Sequence, residues 1–261
     1  MRKNYNKGFR KKNKYSVYRS STSTGVESTT ALNIVRVIVL LLMLGVIVAT
    51  VTVGVKSFKT ENDLKNSSQY KSETEQDEIL LRVVNKSTPL EKDYVPELVE
   101  HNDYSVNVLA EKPLNKLILA AEEEGVNLSV DCAYVSYDEQ DKLYKRTYNK
   151  YRRTSGLSQV KAQAKTETKV PQAGRSEFQT GLLIRFKTDE DKSFRNTAAS
   201  RWLERNSIDF GFILRYPEGK TAQTSMSPDF TSYRYVGKDN AYVMRSLGKT
   251  FNEYSYYIAS R

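Results

Sequence analysis

A single cysteine, Cys132, rules out an intrachain disulfide in this 261-residue chain. Cysteine usage therefore argues neither for nor against export. A single histidine, His101, is the stronger restriction. A catalytic zinc takes three protein ligands from His, Cys, Asp or Glu and leaves one position open. No site built on two or three histidines can form within one chain of this composition. His101 stands in the polar run VEHNDY, reads as exposed, and has no nucleophile motif around it, so a Ser-His-Asp arrangement has no footing. The twelve glycines are scattered and form no phosphate-cradling loop. No internal repeat is present.

Acidic residues are scarce at one end only. The formal net charge is +10, from 41 Lys and Arg against 31 Asp and Glu. Residues 1–36 hold nine of the basic residues and one acid, Glu27, while the remainder is nearly balanced. The excess is thus a property of the N-terminal tail. The rest gives no electrostatic case for nucleic acid as a partner.

What is present begins with a run of nineteen residues without a charge, 37–55 (VIVLLLMLGVIVATVTVGV). Taken as 32–55, it is long enough as a helix to cross the roughly 30 Å hydrocarbon core with some tilt. Lys and Arg crowd its N-terminal side, which predicts a cytoplasmic N-terminus and an outward C-terminal part, with the cytoplasmic membrane as partner. Residues 1–31 read as a basic cytoplasmic tail suited to anionic headgroups. Residues 56–79 are polar without apolar periodicity and read as a stalk.

Residues 80–261 carry the only regular patterning of a globular core. Leu114, Leu117, Ile118 and Ala121 share one helical face, in a helix expected to open at Pro113 and end before Gly125. Val126, Leu128, Val130 and Cys132 alternate as in a half-buried strand, which makes Cys132 a small core residue. A charged, Tyr-rich helix is expected over 138–166, a loop over 168–175, and strands over 181–186, 210–216 and 233–236. Helices are expected around Trp202 and over 238–247. This mixed order lacks βαβ regularity and predicts one small α+β domain, a mixed or antiparallel sheet flanked by helices.

Five segments, taken in order, resemble the VanY-type D-alanyl-D-alanine carboxypeptidases, zinc peptidases that trim peptidoglycan stem peptides. They are VNKSTPLEKDYVPELVE (84–100), CAYVSYDEQ (132–140), SEFQTG (176–181), GFILRYPEGK (211–220) and YRYVG (233–237). The resemblance implies a zinc held by the His of S-x-H, by an Asp seven residues later, and by the His of E-P-W-H, with the Glu of that last motif as general base. Here those positions are Phe178, Arg185 and Ser232 for the ligands and Asp229 for the base. The Arg of the family's Y-R-S motif is Val135.

On this reading no metal cofactor and no catalytic residue are expected. Arg185 would either pair with Asp229 or accept a substrate carboxylate. Tyr134, Ser136, Gln140, Ser176, Gln179, Arg185, Tyr233 and Arg234 are the candidate groove residues, though polar residues beside a pocket equally make structural hydrogen bonds. Three readings stay open: an inactive domain that binds peptidoglycan peptide or a cell-wall protein, an active carboxypeptidase with an atypical site, and a structural ectodomain.

Overall fold

The computed structural model describes residues 33, 34, 36–43, 75–101, 103–190 and 193–260. The first ten of these are helical, and the large apolar side chains of Ile34 and of residues 37–43 are exposed. The basic tail and residues 44–55 of the expected span lie outside the described residues. Among the described residues no helix is long and apolar enough to cross a membrane. These N-terminal residues form a unit separate from the domain that follows.

The domain starts slightly before Leu80. Residues 75–80 form a helical turn, and the Asp77 carboxylate accepts from Asn240 at 3.0 Å. The end of the expected stalk is therefore part of the folded unit. Strands β1 (Leu98–Glu100) and β2 (Ser105–Asn107) form an antiparallel hairpin. Helix α1 (Val108–Glu123) follows at once, because the Asn107 side chain accepts from the Leu109 N–H and caps it. The cap moves the helix start five residues ahead of Pro113, which lies inside the helix. The expected stripe is found: Leu114, Leu117 and Ala121 are fully buried.

Strand β3 (Ser129–Cys132) leads to α2 (Tyr137–Thr154) and α3 (Gln159–Glu167). The single helix expected over 138–166 is two helices. Gly156 adopts φ +58, and the Ser158 side chain caps α3 through the Lys161 N–H. A 3-10 turn (Glu177–Thr180) precedes β4 (Leu183–Lys187). Then come α4 (Ala198–Asn206), β5 (Phe212–Tyr216), the short α5 (Thr221–Thr224), β6 (Asp229–Tyr235), α6 (Lys238–Leu247) and α7 (Phe251–Ala259).

The main sheet has order β3-β4-β6-β5, every pair antiparallel. The α+β expectation holds. The larger core joins Val130, Ile184, Phe186, Phe212 and Tyr233 of the sheet to the α1 stripe and to Trp202 and Leu203 of α4. A smaller cluster joins Ile213 and Val236 to Ala241 and Met244 of α6 and to Phe251 and Tyr254 of α7.

Gly181 shows why the SEFQTG segment ends in glycine. Its φ is +64, and a Cβ there would lie 2.8 Å from the Asn107 nitrogen. The same nitrogen donates to the Gly181 carbonyl at 3.0 Å, which ties the turn before β4 to the start of α1. Gly181→Ala is expected to cost about 1–2 kcal/mol for left-handed backbone alone, with displacement of the Asn107 backbone added. Urea denaturation against wild type measures it.

Candidate functional site

The site is built on the middle of the sheet. In the β4–β6 ladder Arg185 stands opposite Ser232, so the two side chains share one face. Strand β3 adds Cys132 to that face through an irregularity. Val130 pairs with Phe186 but Cys132 pairs with Arg185, so two steps on β3 match one on β4. The extra residue inverts the alternation. Cys132 thus leaves the core side, where strict alternation would put it, and lies half-buried beside Arg185. Burial pushes its thiol pKa up while the Arg185 charge pulls the other way.

Phe178 enters from the 3-10 turn, and its ring lies 4.9 Å from the Arg185 guanidinium carbon, which sits over it. The peptide N–H of Val135 donates to the Phe178 carbonyl at 3.2 Å and helps fix that turn. Phe178, Arg185, Asp229 and Ser232 all line one cleft of about 230 Å³. Its other walls include Gln140 and Leu143 of α2, residues 168–171 and Met226. The three ligand positions and the base position of the family motifs therefore do converge in space.

Asp229 is occupied locally. One carboxylate oxygen accepts from the Ser232 hydroxyl at 2.6 Å. The other accepts from the Thr231 N–H at 2.9 Å and the Thr231 hydroxyl at 2.6 Å. The Arg185–Asp229 pair considered from the sequence is not formed, because β6 supplies Asp229 with its own donors. Tyr216 of β5 stands opposite Asp229, and burial drives its phenol well above the ordinary range.

The remaining groove candidates divide. Ser176 and Gln140 line the cleft, and the Gln140 amide donates to the Pro171 carbonyl at 2.6 Å. Ser136 instead caps α2 in a capping box with Glu139. Its hydroxyl and N–H hold the Glu139 carboxyl below the ordinary carboxylate range. Gln179 is buried and accepts from the Gly174 N–H at 2.7 Å. Tyr134 is half-buried, donates its N–H to the Ser105 carbonyl, and does not line the cleft.

Tyr233 and Arg234 are structural rather than groove-facing. Tyr233 packs edge-on against Phe186 in the larger core, 5.9 Å between ring centroids. Arg234 is 0% exposed. It donates to Glu177, to the Thr180 hydroxyl, and to the carbonyls of Leu80 and Arg82. His101 is also not exposed as expected. It is half-buried, stacked on Tyr104 at 4.7 Å, and its Nε2 is buried.

The sequence reading missed a buried ion cluster behind the cleft. The Glu177 carboxylate receives Arg215 through Nη2 at 2.5 Å and Nε at 2.9 Å, and Arg234 through Nη1 at 3.2 Å. Arg215 also donates to Asn252 at 2.7 Å. A signal was available, since Arg215 interrupts the apolar run FILRY and a charge at such a place needs a buried partner.

The donor set at the three ligand positions does not fit zinc. Phe178 has no donor atom, Arg185 is a permanent cation, and the Ser232 hydroxyl is engaged with Asp229. Among the described residues no group of three or more His, Cys, Asp or Glu could hold a metal ion.

Three comparisons place this geometry among known proteins. The family described as VanY, D-alanyl-D-alanine carboxypeptidase, matches residues 103–238. A D-alanyl-D-alanine carboxypeptidase of Enterococcus faecalis is 33% identical over 202 residues, covering 77% of this chain and 74% of the relative. The structure of a vancomycin resistance D,D-pentapeptidase VanY in complex with Zn(II) is similar with a TM-score of 0.62 and 33% identity, over 67% of this chain and 98% of that one. VanYB in complex with D-alanine-D-alanine gives a TM-score of 0.62 and 32% identity, over 67% and 96%. With the segments, the sheet and the cleft in agreement, the chain belongs to the VanY family of D-alanyl-D-alanine carboxypeptidases.

Proposed function

We propose that this domain binds peptidoglycan stem peptide without cleaving it, held at the outer face of the cytoplasmic membrane by the segment 32–55. The carrying observation is the cleft itself: the family's ligand and base positions converge on it, while Phe178, Arg185 and Ser232 supply no metal donor set. Loss of the metal would leave a ligand Asp buried without a counter-charge. An Arg at that position, in contact with a Phe at the neighbouring one, is what a site relieved of its cation tolerates. A wall peptide as ligand is supported by the relative that binds D-alanine-D-alanine. The anchor is supported by the uncharged run and by the basic residues on its N-terminal side.

The test is metal content and turnover after purification in excess zinc. No stoichiometric zinc and no D-Ala release from a D-Ala-D-Ala-terminated peptide are expected, together with retention of the protein on purified wall fragments. Stoichiometric zinc with turnover would establish an active enzyme instead, and failure to be retained would remove the binding role.

A further inference from the structure

We infer that Arg185 is an anchor for a free carboxylate, so that the cleft takes the C-terminal end of a peptide by ion pairing where the family's metal site would be. The inference rests on the binding function proposed above and names the ligand chemistry.

Arg185 is unusual in its placement. It sits at the centre of β4, an inner strand flanked by β3 and β6. A half-buried cation there normally has a counter-ion. Among the described residues its guanidinium has neither a carboxylate within 4.0 Å nor a hydrogen bond, only the Phe178 ring. Its nitrogens are not among the buried polar atoms that lack partners, whereas Arg215 Nη1 and Arg234 Nε are. The Arg185 donors therefore open onto the cleft. The Phe178 ring lies against the guanidinium, and the unpaired N–H groups remain on offer to the cleft. A guanidinium can hold a carboxylate through two parallel hydrogen bonds.

The surroundings favour an anion. Glu177 is shared between Arg215 and Arg234. Asp229 is held by the hydroxyls and N–H of its own strand. The charged residues that line the cleft are Arg185 and the exposed Lys169 against Asp229. A bound carboxylate would neutralise the excess. Size narrows the ligand. At about 230 Å³ the cleft falls below the roughly 300–1,000 Å³ of pockets that enclose drug-sized molecules. It suits the last small residues of a peptide, with Leu143, Val170 and Met226 as apolar walls.

Calorimetry on the full chain in detergent, with a chelator present, tests this using acetyl-D-Ala-D-Ala and its C-terminal amide. The free acid is expected to bind at least tenfold more tightly than the amide. Arg185→Ala is expected to lose that preference, and Arg185→Lys to retain part of it. Wall-fragment retention is measured on the same samples. Equal binding of acid and amide, or an unchanged preference in Arg185→Ala, overturns the anchor. If fragments are still retained in that case, the binding function stands without it. If neither peptide binds and fragments are not retained, both fall. A requirement for zinc would also overturn the anchor. Should Arg185→Ala not fold, the acid–amide comparison on wild type decides.

Discussion

Glu177→Ala is expected to lower the stability of the domain by about 3–5 kcal/mol, the cost of breaking a buried ion cluster by removing one partner. Typical domains hold only about 5–15 kcal/mol in total, so this change brings the chain to the edge of unfolding. Arg215 is 2% exposed and Arg234 0%, and both direct hydrogen bonds at the Glu177 carboxylate. Without it two guanidinium groups stay buried with one fixed partner, Asn252, and a few hydroxyl and carbonyl oxygens. The Phe251 ring, 5.0 Å from the guanidinium carbon of each, does not replace a counter-charge. Urea denaturation followed through Trp202, the only tryptophan, reads the loss directly. The triple change Glu177→Leu, Arg215→Met, Arg234→Leu is expected to recover much of it, because a buried ion cluster is often no more stable than an apolar one of similar volume. A single variant within about 1 kcal/mol of wild type, the scale of an ordinary point mutation, would mean the cluster is not what holds the turn. The function is tied to the same bonds: Glu177 precedes Phe178 in that turn, so its loss moves the platform beneath Arg185.

Much of the fold was legible because its signals are local. The α1 stripe and the apolar runs of β4 and β5 are periodicities within a few residues. The break between α2 and α3 was also written in the sequence, as Gly156 followed by a capping Ser158, and was outweighed by the helical composition on either side. Helix α7 was not among the expected helices, although Thr250 and Glu253, the two halves of a capping box, mark its start. The inversion at Cys132 was not legible, because a bulge is defined only against the partner strand. Within the site, motif order was enough to gather Phe178, Arg185, Asp229 and Ser232. It failed for their neighbours on β6. Tyr233 points to the opposite face by strand alternation. Arg234 shares the Ser232 face but lies beneath Phe251 and Glu177, where depth rather than sequence decides its role.

Replacing Phe178 by His, Arg185 by Asp and Ser232 by His is expected to give stoichiometric zinc binding, which the wild-type chain is expected to lack. The geometry argues for this. Residues opposite each other in an antiparallel ladder hold their Cβ atoms roughly 4.5–5.5 Å apart, which suits two ligands that each reach a shared zinc at about 2.0–2.2 Å. Phe178 already contacts Arg185, so a His in its place lies within reach of the same point. Arg185→Asp has a double effect, removing a cation from beside the metal and adding a ligand charge. Metal content of purified variants is the measurement, with Arg185→Asp alone as the control expected to stay empty for want of histidines. The same variants separate the two ways of holding a peptide. Free-acid binding is expected to vanish in Arg185→Asp and to return in the triple variant only when zinc is supplied. D-Ala release is then followed with Asp229→Glu and Val135→Arg added, the other two positions where this chain departs from the family pattern. If the triple variant stays empty, the loss extends beyond the ligands to the backbone that aims them. The proposed lack of metal chemistry would then be a property of the whole cleft rather than of three side chains.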